Sequence, residues 1–151
     1  MTKLRIPPPV QGVFWAFCMW GIYKLFPNLN LQFTGQKLLG LSLIGIGLGL
    51  DLISIGAFLR AKTTINPIKL AKTSHLVTSG LYRLSRNPMY LGLACLLTGW
   101  AILLGNPINL LILGIFILLM NMLQIIPEEQ ILLEKFGHNY RNYQSEVKRW
   151  I

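Results

Sequence analysis

LLGLSLIGIGLGLDLISIGAFL, residues 38–59, is the stretch that decides the class of fold of this chain. It contains a single charged residue, Asp51, and as an α-helix it is long enough to cross a hydrocarbon core of about 30 Å. Further apolar runs lie at about residues 10–26, 89–104 and 108–126. None of the four runs has the polar–apolar alternation of a membrane β-barrel, so we expect helices. The sequence predicts an all-α, polytopic membrane bundle of about four transmembrane helices, in one domain over residues 1–151.

The composition excludes an ordinary soluble protein and argues against nucleic acid as a partner. Hydrophobic residues make up 53% of the chain and charged residues 13%, and the net charge is +9. The positive charges lie between the apolar runs and in the C-terminal tail, which is the pattern of loops beside anionic headgroups. We therefore expect membrane lipids, and no nucleic acid, around this chain.

The distribution of lysine and arginine predicts the orientation in the membrane. The turn at 105–107 carries neither residue, whereas the segment 60–87 carries Arg60, Lys62, Lys69, Lys72, Arg83 and Arg86. The positive-inside rule then places that loop, the N-terminus and the C-terminal tail in the cytoplasm. Because the loop and the tail share one side of the membrane, they can form one site.

The tail is predicted to be an amphipathic helix over residues 127–151. Pro127 suits the first turn of a helix, and Glu128 and Glu129 would complement the helix dipole. Apolar residues then recur every three or four positions, at Leu132, Phe136, Tyr140, Tyr143 and Val147. Gly137 is the position at which an interruption of this helix is expected.

Polar side chains inside the apolar runs are costly in a bilayer and are candidates for function. Asp51 is either a functional group or half of a structural pair, and the sequence does not decide between the two. Asn121, Gln124 and Glu128 form one polar stripe if their helix continues across Pro127. Such a stripe either bonds neighbouring helices or lines a pocket. We predict a pocket, with Asn121 and Gln124 as substrate-binding residues.

The stretch LYRLSRNPMYLG, residues 81–92, brings basic and aromatic side chains to the start of the third apolar run. Arginine there is an ordinary topology signal, but topology does not require two tyrosines flanking Arg-Asn-Pro. Pro88 favours an abrupt helix start, which would place Tyr82, Arg86 and Tyr90 around one concavity. Arginine suits a carboxylate, glutamate an ammonium and tyrosine a soft cation. S-adenosylmethionine carries all three groups, although other nucleotides or amino acids would suit the same residues.

Three segments resemble a known family: HLVTSGLYRLSRNPMYLG at 75–92, PEEQILLEKFGHNYRNY at 127–143 and VKRWI at 147–151. They are similar to the isoprenylcysteine carboxyl methyltransferase and phospholipid methyltransferase superfamily, and the similarity extends from about Thr63 to the C-terminus. The resemblance implies a multi-pass membrane enzyme. Such an enzyme would bind S-adenosylmethionine at the cytosolic face and methylate a lipophilic substrate that enters from the bilayer.

The resemblance also assigns residues to roles. Arg86 and Glu128 would be catalytic, and no metal is expected. The residues that would hold the cofactor are Ser74, His75, Leu76, Val77, Tyr82, Asn87, Pro88, Met89, Tyr90 and Glu128.

Two positions depart from the pattern of the family. Asn87 stands where the family usually has histidine, and an asparagine cannot titrate, so this position is not a proton shuttle. Gln124 stands where the isoprenylcysteine enzymes have an arginine that meets the substrate carboxylate, and a neutral amide is a poor substitute. The acceptor therefore stays open among a prenylcysteine carboxylate, a phospholipid amine and another small lipid.

Two other classes of protein compete with this interpretation. Sterol-reductase-like membrane enzymes have a similar arginine–proline–tyrosine and tail pattern and use NADPH, but they tend to have more spans. A small membrane scaffold or transporter would explain Asp51 and the glycine-rich second run. It would not explain the pairing of the loop motif with the tail motif.

Overall fold

The computed structural model describes residues 7–61 and 75–151, and within these ranges the chain is helical and has no β-strand. The all-α membrane bundle predicted from the sequence is confirmed. Its helices are α1 (Pro8–Leu25), α2 (Gln36–Arg60), α3 (Pro88–Leu104), α4 (Ile108–Leu119), α5 (Ile126–Phe136) and α6 (His138–Glu146).

The four predicted apolar runs all form helices. The boundaries of the first three lie close to the predicted ones, whereas the fourth helix continues past the predicted end at about residue 126. Within the described ranges, α2 and the continuous helix Ile108–Phe136 are long and apolar enough to cross a membrane, and α3 is a shorter apolar helix. These helices are those of a membrane protein. The total of four spans stays a prediction.

The connections at one end of the bundle are tied together by hydrogen bonds. The amide of Leu31 donates to Gly105 O at 2.9 Å, and Gln36 Nε2 donates to Ile102 O at 2.7 Å. Asn106 Nδ2 donates to Asn30 Oδ1 at 2.8 Å. The α1–α2 and α3–α4 connections therefore meet at the same end, and consecutive helices run in opposite directions.

Helices α2 and α3 form the most extensive helix pair, and glycines let their backbones touch. A Cβ atom on Gly47 would lie 2.6 Å from Gly92 O, and one on Gly99 would lie 2.6 Å from Gly40 O. The small residues Gly45, Gly47 and Gly49 in the second run predict close helix packing. The packing is confirmed, and it uses Gly47, whereas a Cβ atom on Gly45 or Gly49 would meet nothing within 4 Å.

The fourth helix does not end where the tail begins. Its backbone passes through a π-helical turn at Met120–Ile125 and continues as α5 without leaving helical dihedrals. Pro127 lies in the first turn of α5, as predicted, but α5 continues the fourth helix without a break. Extra residues in a π turn change which side chains share a helix face, and such turns are frequent at functional sites.

The tail is not one helix over 127–151, contrary to the prediction. Gly137 adopts φ 52° and ψ −120°, a backbone conformation that side chains disfavour, and α5 ends there. Helix α6 follows, and from Val147 (φ −120°, ψ 130°) the chain becomes extended. The predicted break at Gly137 is confirmed, and it turns the end of the chain back toward the start of α3.

Candidate active site

The C-terminal segment lies against the turn that enters α3. The amide of Arg86 donates to Lys148 O at 3.0 Å. Ser85 Oγ and Asn87 Nδ2 both donate to Arg149 O, at 3.3 and 3.0 Å. The two segments that carry the sequence motifs are therefore in direct contact at one end of the bundle. The side chain of Asn87 fixes the tail, a task that an uncharged amide can perform.

A second contact joins α6 to the 3₁₀ turn Gly80–Arg83. Tyr143 Oη donates to Tyr82 O at 2.6 Å. Tyr140, Tyr143 and Val147 form a small buried cluster that Leu76 helps to cover. The tail thereby packs along the whole loop motif, from Leu76 to Asn87.

Glu129 is clamped by two arginines from different parts of the chain. Arg86 Nη2 lies 3.0 Å from Glu129 Oε1, and their side chains are only 11% and 10% exposed. Arg149 forms a bidentate pair with the same carboxylate, through Nε at 3.1 Å and Nη2 at 2.7 Å. The Glu129 hydrogen bond is the main reason that the pKa of Arg149 is raised. Arg86 thus anchors Glu129, and its predicted catalytic role stays a prediction.

Glu128 points to the other side of α5 and joins a buried polar cluster. Tyr90 Oη lies 2.8 Å from both carboxylate oxygens of Glu128. Gln124 Nε2 donates to Glu128 Oε1 and lies 3.4 Å from Tyr90 Oη. Gln124, Glu128 and Tyr90 are 2%, 8% and 6% exposed, so this cluster is almost sealed from water. Two neutral donors hold the carboxylate in one orientation.

Tyr82 connects this cluster to α2. Its ring packs edge-on against Phe58 with centroids 5.4 Å apart, and its hydroxyl is hydrogen-bonded to Ser54. Burial raises the pKa of Tyr82 well above its ordinary value, and Tyr143, Glu128 and Asp51 add to that rise. The phenol is therefore neutral at physiological pH, between a carboxylate of α5 and a carboxylate of α2.

The predicted polar stripe on the fourth helix is split. Gln124 and Glu128 face the buried cluster, whereas Asn121 Oδ1 accepts a hydrogen bond of 3.1 Å from Trp150 Nε1. Because of the π turn between α4 and α5, Asn121 points in a different direction from Gln124 and Glu128. Asn121 helps to hold the tail in place, and the structure does not bring it to Tyr90.

The remaining residues predicted to hold a cofactor occupy different environments. Val77 and Pro88 are buried, Leu76 and Met89 are half-buried, and His75 is exposed. Pro88 is the first residue of α3. Ser74 lies outside the described residues. The structure brings Tyr90 into contact with Glu128, and Tyr82 interacts with both. Asn87, Pro88 and Met89 immediately precede Tyr90 in the chain.

Sequence reasoning did not foresee the role of Arg149. The motif VKRWI contains this residue, but only the fold shows that its guanidinium clamps Glu129 and that its carbonyl receives two hydrogen bonds. Ser54 was also missed as a partner of Tyr82. Ser54 lies one helical turn after Asp51, and two polar residues on one face of an apolar run are the signal that could have identified it.

The sequence of this chain is similar to those of known proteins. The family model of the phospholipid methyltransferases matches residues 36–139. Protein-S-isoprenylcysteine O-methyltransferase B of Arabidopsis thaliana is 31% identical over 108 residues, which are 66% of this chain and 55% of that protein. A probable protein-S-isoprenylcysteine O-methyltransferase of Oryza sativa subsp. indica is 28% identical over 123 residues, 82% of this chain and 64% of that protein.

A short protein of Haemophilus influenzae, described as uncharacterized, is 46% identical over 63 residues, which cover 42% of this chain and all of the relative. The chain spans 55% to 64% of the length of the two plant proteins. The superfamily and the methyltransferase class predicted from the motifs are confirmed. Because the family model matches most of the helical core of this chain, the chain belongs to the phospholipid methyltransferase family.

Proposed function

We propose that this protein transfers a methyl group from S-adenosylmethionine to a lipophilic acceptor at the cytosolic face of a membrane. The observation that carries the proposal is the buried contact between Tyr90 and Glu128, where the loop motif and the tail motif meet. Membership of a methyltransferase family supports the reaction class. The names of the plant relatives support a lipid-bearing acceptor.

The residues at this junction suit the cofactor chemically. S-adenosylmethionine carries an ammonium, a carboxylate and a sulfonium. The Glu128 carboxylate suits the ammonium, and the rings of Tyr82 and Tyr90 suit the sulfonium. The Nε donor of Arg86 is buried and has no hydrogen-bond partner within residues 7–61 and 75–151, which leaves one guanidinium donor for an anionic group.

The cofactor would supply an electrophilic methyl group on a sulfonium. The task of the protein is then to position two reactants and to exclude water from the space between them. Tyr90 and Gln124 fix the direction of the Glu128 carboxylate. The clamp of Arg86 and Arg149 on Glu129 holds the tail over that carboxylate. Asn87 cannot exchange a proton and serves to position the tail.

The environment of Gln124 bears on the acceptor. This amide is 2% exposed and is engaged with Glu128 and Tyr90. It therefore supports the cofactor-side carboxylate and is not available as a clamp for a substrate carboxylate. A prenylcysteine carboxylate, a phospholipid amine or another small lipid would have to be recognised by other residues.

We further propose four membrane passes with both termini in the cytoplasm. The antiparallel order of α1, α2, α3 and the Ile108–Phe136 helix supports the number of passes. The contact of the tail with residues 85–87 supports a common face for the loop and the tail. The positive charge of the segment 60–87 supports the cytosol as that face.

The proposal is tested with the detergent-solubilised protein in two steps. Calorimetry compares the binding of S-adenosylhomocysteine with the binding of NADPH, and we expect binding of the former only. A labelled-methyl assay on a total lipid extract then identifies the acceptor. Tight binding of NADPH without a response to S-adenosylhomocysteine would instead support a membrane reductase.

A further inference from the structure

We propose that Asp51 is a second functional carboxylate of this site, and that it takes up the proton of an amine-bearing lipophilic acceptor. This inference rests on the proposed methyl transfer and names the class of acceptor. It concerns a residue outside the loop and tail motifs.

Asp51 is a half-buried residue of α2. It precedes Arg60, the last residue of α2, by nine positions, which places it roughly 13 Å below that end of the helix. Its Oδ1 atom lies against the Cα of Gly92 in α3, so closely that a Cβ atom there would collide with it. Asp51 shares a face of α2 with Ser54 and Phe58, three and seven positions further on, and both of these contact Tyr82. The carboxylate is therefore on the Tyr82 side of the site.

The Asp51 carboxylate is not satisfied by the protein. Its Oδ1 atom is buried and has no hydrogen-bond partner in the described part of the chain, and neither ion pair found there includes Asp51. An unpaired carboxylate inside a membrane helix is costly, and such residues mark substrate or proton pathways. An aspartate with only a structural role would be expected to accept a hydrogen bond from a neighbouring group.

Within residues 7–61 and 75–151, the titratable groups that interact with Asp51 do not include a cation. Tyr82, from the turn before α3, and Cys95, from α3, both interact with it electrostatically. Tyr82 also interacts with Glu128, so the tyrosine stands between two acidic groups. A positively charged headgroup would find a partner on the Asp51 side, while a carboxylate headgroup would be repelled there.

The proposed chemistry balances as follows. A primary ammonium headgroup transfers one proton to the Asp51 carboxylate, which becomes a carboxylic acid, and the headgroup becomes a neutral amine. The amine nitrogen donates its electron pair to the methyl carbon as the carbon–sulfur bond breaks. The products are a methylammonium lipid and the neutral thioether. Asp51 later releases its proton to water. An acceptor that is already a carboxylate would need no such base.

The test uses Asp51→Asn in the full chain, with Glu134→Gln as a control that removes an exposed carboxylate. Labelled S-adenosylmethionine is supplied with phosphatidylethanolamine or with an S-prenylcysteine in mixed micelles. We expect the wild type to methylate phosphatidylethanolamine and Asp51→Asn to lose about 10²–10⁴-fold in rate, the range of general base catalysis. Its rate should recover partly as the pH approaches the pKa of the amine. Glu134→Gln should match the wild type.

Two further measurements exclude a structural role or a role in binding the cofactor. Affinity for S-adenosylhomocysteine should be the same in Asp51→Asn and the wild type. The melting temperature in detergent should be unchanged or higher, because the substitution removes an unsatisfied charge. Loss of S-adenosylhomocysteine binding, or a lower melting temperature with the same fractional loss on every acceptor, would overturn the inference.

Failure of the inference is distinguishable from failure of the proposed function. If the wild type methylates the S-prenylcysteine and not phosphatidylethanolamine, or if Asp51→Asn methylates phosphatidylethanolamine as fast as the wild type, methyl transfer stands and the role of Asp51 is refuted. If the wild type binds no S-adenosylhomocysteine and labels no acceptor, the proposed function itself fails.

Discussion

Tyr90 Oη lies 2.8 Å from both carboxylate oxygens of Glu128, although the two residues are 38 positions apart in the chain. The contact joins the first turn of α3 to α5, and both side chains are buried. It places a neutral phenol and a carboxylate side by side, so the loop motif and the tail motif lie at the same end of the bundle. The geometry of the proposed site depends on this contact and on the glycine-lined helix pair beside it.

The α2–α3 interface is expected to depend on Gly47 and not on Gly45. A Cβ atom on Gly47 would press on the backbone of α3, whereas one on Gly45 would meet nothing within 4 Å. Gly47→Ala should lower the free energy of unfolding by about 1–3 kcal/mol. Gly45→Ala should be neutral or stabilise by up to about 1 kcal/mol through helix propensity. Thermal unfolding in detergent measures both, and equal effects would contradict this packing.

Glu129 is expected to stabilise the fold through its two arginines. Glu129→Gln leaves the largely buried Arg86 without its ion pair, and should cost about 2–4 kcal/mol after allowance for the more exposed Arg149. The exposed Glu134 provides the control, and Glu134→Gln should change stability by less than about 0.5 kcal/mol. Chemical unfolding in mixed micelles distinguishes the two. If Glu129→Gln left the free energy of unfolding unchanged, the two arginines on Glu129 would not hold the tail in place.

Tyr143 is expected to make stability fall at alkaline pH. Burial raises the pKa of Tyr143 from its ordinary value of 10.0 to about 12, and Arg86 opposes part of that rise. The neutral phenol is thus favoured in the folded state. Its contribution is complete below pH 10.0 and is lost as the pH rises through about 12.

Tyr143→Phe tests this pH dependence. The variant should lose about 1 kcal/mol at neutral pH, because the hydrogen bond to Tyr82 O is removed. It should also lose less stability than the wild type between neutral and strongly alkaline pH. Melting temperatures measured across that range, together with the ultraviolet absorbance of phenolate, give the comparison. If stability fell equally with pH in the two proteins, the raised pKa of Tyr143 would be contradicted.

The helices that the sequence predicted correctly are those with a local cause. A continuous apolar run with few charges identifies α2, and Pro88 fixes the start of α3. The continuity of α4 into α5 entered the sequence prediction only as a condition for the polar stripe, because proline followed by two glutamates is the ordinary signature of a helix start. The π turn at Met120–Ile125, which precedes Pro127, has no local signal in the sequence.

The site could be predicted at the level of segments but not of side-chain pairs. The positive-inside rule put the loop and the tail on one side, and they are in contact. The two glutamates have different partners because α5 turns them in different directions, Glu128 toward Tyr90 and Glu129 toward Arg86 and Arg149. Asn121 pairs with Trp150 because the chain reverses at Gly137, a tertiary event.

The most direct test of the proposed site is a double-mutant cycle on the affinity for S-adenosylhomocysteine. Calorimetry on the wild type, Tyr90→Phe, Glu128→Gln and the double variant gives the coupling between the two side chains. We predict that each single variant binds at least about tenfold more weakly and that the double variant is little weaker than either single one, because the two groups act as a unit. Unchanged affinity in both single variants, with folding intact, would place the cofactor elsewhere and contradict the central claim.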